Sequence, residues 1–247
     1  MQGYANPDIR YISSGIVFEK NKVDAIKNRI FYDRILTPSK PAQGGFWGST
    51  YTPEGQYRSD WERFIHEKMY LQKEWIEKIK RPSTIFTLKP NTKLLFLNKF
   101  EDLYEEMIPK GNGGNGSNGS NGGSGVELRK PTVFMRNVKV TRPEFKDYAK
   151  QPFIDFEKQQ NIFDAMVVSK HFVELVAWCL RAFEIKVTAL QEQGVVVTNE
   201  VLNECVYNEQ LTEYYVIFAE MFEDWHVESV FVLNPECVNV VEVLPEV

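Results

Sequence analysis

Cysteine is scarce in this 247-residue chain: three residues, Cys179, Cys205 and Cys237, odd in number and far apart. They can supply neither a disulfide framework nor a Cys-x-x-Cys metal site, so the usage implies a reducing interior. Histidine is equally rare, and His66 and His171 have no Cys, His or carboxylate at ligand spacing. No metal is expected. Long apolar runs are also missing: none approaches the roughly 18 to 20 residues that span a bilayer. The start, Met-Gln-Gly-Tyr-Ala-Asn-Pro-Asp, has neither the basic nor the apolar part of a signal peptide. The expectation is a cytoplasmic protein, unless another system exports it, with no membrane partner. Excess positive charge is absent too. A net charge of −5 gives no broad basic face for gripping phosphates, which makes nucleic acid a secondary partner and protein the first.

What is present is an ordinary globular composition, 43% hydrophobic and 26% charged, in a chain long enough to bury a substantial core. The pattern predicts strands over 8–13 and 46–51, and a helix over 19–33 from the spacing of Val23, Ile26, Ile30 and Phe31. Ser59 with Glu62 forms a capping-box pattern ahead of a helix running to Lys80. Residues 83–88 and 92–98, around Pro90-Asn91, predict paired strands, and 101–107 a short helix. Residues 111–125 hold only Gly, Asn and Ser, a flexible connector of roughly 20 Å reach. Its purity fits an engineered and a low-complexity insertion equally well. It lacks the Lys-Ser or Lys-Thr ending of a phosphate-cradling loop, just as Ser13 and Ser14 lack a nucleophile elbow. Beyond it come a strand over 132–140, a helix over 153–161, a strand over 163–168 and two amphipathic helical segments within 172–222. Strands at both ends with helices among them indicate a single α+β domain over 1–247, interrupted by that connector.

The chain is organised around its closing stretch, 224–241. Val230, Phe231, Val232 and Leu233 form an unbroken run suited to a strand covered on both faces, and Asn234-Pro235 ends it before Val238, Val240 and Val241 resume the strand pattern. Just ahead of the run stands Glu228, two residues after His226 and three after Trp225. A carboxylate at the mouth of a buried strand must be hydrogen-bonded, paired or used.

Three pieces stand apart from packing logic: Arg10-Tyr11-Ile12-Ser13, Gly45-Phe46-Trp47-Gly48-Ser49-Thr50-Tyr51, and Glu228 with its apolar run, Asn234 and turn. In this order they resemble the three-part site of the ADP-ribosyltransferases. The resemblance implies a mixed or antiparallel sheet core with flanking helices, and leaves 172–222 as an inserted helical region without a counterpart. It implies NAD as substrate, with Arg10 binding its phosphates or ribose and Tyr11 as the rival for that position. Ser49 and Thr50 would support the pocket and orient Glu228, Tyr51 or Trp47 would stack on the nicotinamide, and Glu228 would bond the nicotinamide ribose. An effector or toxin that modifies a macromolecule is the setting such a site implies.

The chemistry suits these residue types. Breaking the nicotinamide–ribose bond builds positive charge on the sugar, which a nearby anion stabilises more in the transition state than in the ground state. A guanidinium grips a pyrophosphate at two points, and aromatic faces orient a flat ring. Taken singly, each residue has a plainer role. Arg10 is then a solvated charge, the aromatics around the glycines are core, and Glu228 is an edge residue. A non-catalytic module of the same fold, binding an NAD-derived nucleotide or a protein, is the alternative.

Overall fold

The computed structural model describes residues 2–28, 40–41, 43–103, 154, 156–196, 219 and 221–246. Among them are eight strands: β1 (Gln2–Tyr4), β2 (Tyr11–Ser13), β3 (Phe46–Thr50), β4 (Ser83–Leu88), β5 (Lys93–Leu97), β6 (Ala165–Val168), β7 (Ser229–Val232) and β8 (Val238–Leu244). Four helices accompany them: α1 (Asp60–Lys68), α2 (Lys73–Lys80), α3 (Phe156–Gln159) and α4 (Lys170–Glu192). The strands join in the order β1-β5-β6-β7-β3-β2-β4-β8. Only β5 and β6 run parallel; the other neighbours are antiparallel. The class is therefore α+β with a mixed, mostly antiparallel sheet.

β3 joins the two halves of the sheet. Its first three residues pair with β7, Phe46 opposite Val232 and Gly48 opposite Val230, while Ser49 and Thr50 pair with Ile12 and Tyr11 of β2. Alternation along the strands divides the core between the two faces. One face carries Leu95, Leu97, Met166, Val168 and Phe231, covered by Phe172 and Val176 of α4 and by Phe222 and Trp225. The other carries Tyr11, Phe46, Phe86, Leu94, Val167, Val230 and Val232. Two glycines permit close approaches here. Gly45 has φ +74°, and a Cβ on it would lie 2.1 Å from the Phe231 ring; Gly15, also at +74°, would collide with the Lys78 carbonyl oxygen at 1.9 Å.

Several expectations change. The 59–80 helix is two helices: α1, capped by Ser59 accepting from the Glu62 amide, stops at Met69, and α2 begins at Lys73. Strands β4 and β5 follow one another but do not pair. β4 lies between β2 and β8, and β5 between β1 and β6, because each finds its partners far along the chain. Within 19–28, a single 3-10 turn at Lys20–Lys22 and a bridge from Lys27 to Gln43 replace the expected helix. Ile26 reaches the core without helical geometry. The strand over 8–13 is shortened to β2 by an Asx turn in which Asn6 accepts from the Asp8 amide. Strand 132–140 and connector 111–125 lie outside the described residues, as does most of 199–222. Among the described residues no helix is long and apolar enough to cross a membrane.

Candidate functional site

Glu228 sits one residue ahead of β7, where the sheet passes from β7 to β3. The Thr50 hydroxyl donates to its Oε1 at 2.7 Å, and the Ser49 hydroxyl donates to its backbone carbonyl at 2.9 Å. One bond holds the carboxylate and the other holds the chain that carries it. Thr50 lies opposite Tyr11 of β2, a buried residue on the same face. Burial, and then the nearby Glu228 charge, push the Tyr11 phenol up to about 12. Tyr11 therefore stays protonated at physiological pH. Tyr11, Thr50 and Glu228 thus stand in line across three neighbouring strand segments.

The other predicted residues fall on the opposite side. Trp47 and Ser49 alternate with Thr50, and Trp47 packs on Phe231 at 4.3 Å and on Trp225 at 5.1 Å between ring centroids. Arg10 is exposed. Its carbonyl accepts from the Tyr51 amide at 2.8 Å, which extends the β2–β3 ladder by one residue. Alternation then puts both Arg10 and Tyr51 on the side of Ile12, away from Tyr11 and Glu228. Of the two candidates for the first position, Tyr11 shares the carboxylate's face.

On that second side, a cleft of about 250 Å3 opens over β3. Trp47, Gly48 and Ser49 form its floor, Trp61, Trp75 and Lys78 of α1 and α2 form one wall, and Trp225, His226 and Val227 form another. Val227 and Ser229 line it, so the intervening Glu228 points away from it. The helix break makes the first wall. In one continuous helix Trp61 and Trp75 would stand about 21 Å apart along the axis; here their rings meet edge to face at 5.8 Å and 87°.

The cleft is braced from behind. Buried Glu62 accepts from the Ser14 hydroxyl at 2.7 Å, the Arg58 amide at 3.0 Å and Arg58 Nε at 2.8 Å, and Arg58 also donates to the Ile79 carbonyl at 2.8 Å. This ties α1, the turn after β2 and the end of α2 together. His226 stacks on Phe64 at 4.6 Å. His226 is solvent-exposed at one side, and the partial desolvation of its ring, followed by the Lys40 charge, holds the imidazole below its usual range, with Asp224 opposing them.

The chain matches no family model, no curated protein and no solved structure. Among the described residues, no group of three or more His, Cys, Asp or Glu could hold a metal ion. Sequence reasoning did not single out Trp61, Trp75 or Lys78. The available signal was the helical spacing of the apolar positions Trp61, Phe64, Ile65, Met69 and Trp75 after the Ser59 cap.

Proposed function

We propose that this chain is an ADP-ribosyltransferase that cleaves NAD at the nicotinamide–ribose bond and transfers ADP-ribose to a macromolecule. The observation that carries this reading is the bracing of Glu228 by Thr50 and Ser49. Two pieces of sequence nearly 180 residues apart meet through a side-chain bond of 2.7 Å and a side-chain-to-backbone bond of 2.9 Å. A carboxylate held by a hydroxyl is already oriented when positive charge develops on the sugar, so little reorganisation is needed in the transition state. Tyr11, kept neutral, serves as a hydrogen-bond donor on the same face. The acidic balance of the chain favours a protein acceptor over nucleic acid, in keeping with an effector or toxin.

One observation favours the second reading, a non-catalytic module that binds an NAD-derived nucleotide. The lining of the cleft contains neither Glu228 nor Arg10. Calorimetric titration with NAD, run beside an assay for free nicotinamide, separates the two. Binding with release supports the transferase, binding without release supports the module, and no binding removes both.

A further inference from the structure

Four of the chain's five tryptophans, at 47, 61, 75 and 225, line the cleft, and the fifth, Trp178, is on α4. Trp225 is buried and Trp47 packs on it and on Phe231, so the half-buried rings of Trp61 and Trp75 are the ones that offer flat apolar faces for stacking. Two cations stand beside them. Lys78 Nζ lies 4.7 Å from the Trp75 ring centroid and Lys40 Nζ 5.8 Å from that of Trp225, with Lys40 donating to the Asp224 carbonyl at 2.9 Å. Ring faces already attended by ammonium groups repel a cationic ligand and favour an anionic one. Asp224 is the acidic residue of the lining, against these two lysines. The volume of about 250 Å3 falls below the roughly 300–1,000 Å3 typical of pockets for drug-sized ligands. A ligand that is flat, negatively charged and no larger than half a dinucleotide fits all three properties.

We infer that the cleft is a mononucleotide-binding site, with the base against the Trp61–Trp75 corner and the phosphate at Lys78. The site lies across β3 from Glu228, so it stands whether or not that carboxylate cleaves NAD. A free nucleoside monophosphate and the 5′-phosphorylated end of a single strand share this chemistry. Base–aromatic stacking with a cation at the phosphate serves both.

Tryptophan fluorescence tests the inference directly. A Trp178→Phe background confines the signal to the cleft, and the titrants are adenosine monophosphate, adenosine and a short 5′-phosphorylated oligonucleotide. The expected result is quenching by the monophosphate at least about 10-fold tighter than by adenosine. Lys78→Met should abolish that preference, and Trp75→Leu should weaken every titrant about 10-fold. Tighter binding of the monophosphate than of the oligonucleotide identifies a free nucleotide as the ligand, and the reverse identifies a strand end. Either order supports the site. Absence of quenching into the millimolar range, equal affinity for adenosine and its monophosphate, or an unchanged preference in Lys78→Met overturns it. Nicotinamide release is not part of this readout, so the two proposals fail separately.

Discussion

The Thr50 hydroxyl reaches Glu228 Oε1 at 2.7 Å, joining the end of β3 to the residue that leads into β7. A hydrogen bond to a charged group is worth about 1.5–3 kcal/mol. If Glu228 acts on NAD, Thr50→Val lowers nicotinamide release by about 10- to 100-fold, while Thr50→Ser keeps most of it. Steady-state rates of the two variants check this. Equal activity of Thr50→Val and the unaltered protein would show that the bond orients nothing the reaction needs.

Tyr11 gives an alkaline signature. Its folded phenol is raised from 10.0 to about 12, so the protonated form is favoured by folding. The associated stability is complete below the unfolded value of 10.0 and declines as pH rises toward about 12. Tyr11→Phe should lose stability less steeply over that window in denaturant titrations. In ultraviolet difference titrations, Glu228→Gln should bring the late-ionising phenol down part of the way, because burial is the larger cause and remains.

Glu62 is a structural counterpart to Glu228: an acid that is buried, saturated with donors and remote from any reacting group. Glu62→Ala would leave Arg58 half-buried without its partner and remove bonds to Ser14 and the Arg58 amide. The expected loss is about 3 kcal/mol, or roughly 6–12 °C in Tm for a chain of this size. Calorimetry checks it, and a change within the error of the unaltered protein would mean that the bracing is dispensable.

His226 has an acid-side consequence. Its folded imidazole is held below 6.5, first by partial desolvation of an otherwise exposed ring and then by Lys40, so folding favours the neutral ring. The contribution is intact above 6.5 and is lost as pH falls through the depressed folded value. His226→Gln should flatten the decline of Tm on acidification from about pH 7.5 to about pH 5.5. A parallel decline in both proteins would assign the acid sensitivity to other groups.

Local chemistry made much of this molecule legible in its sequence. Ser59 with Glu62 announced the start of α1, Pro90 and Asn91 the turn after β4, and the run Val230–Leu233 a strand buried on both faces. The meeting of Ser49, Thr50 and Glu228 was foreseen only through a resemblance. Pairing between distant strands was not legible, because β-branched residues mark a strand without naming its neighbour. Hence β4 and β5, adjacent in the chain, were expected to pair. The helix break at 69–72 was missed for a related reason. No Pro or Gly marks it, and Tyr70 and Leu71 continue an apolar pattern although the fold leaves them 63% and 80% exposed. That break brings Trp61 to Trp75 and creates the wall of the cleft, which no local rule could anticipate. The face on which Glu228 would lie, away from the cleft, depends on the β3–β7 register and was equally hidden.

Nicotinamide release from NAD by Glu228→Gln tests the central claim most directly. The substitution keeps the side chain's shape and an acceptor for Thr50 while removing the charge. The account predicts that release falls by at least about 100-fold with Tm unchanged. Release by the variant at the rate of the unaltered protein, or its absence from both, would contradict it.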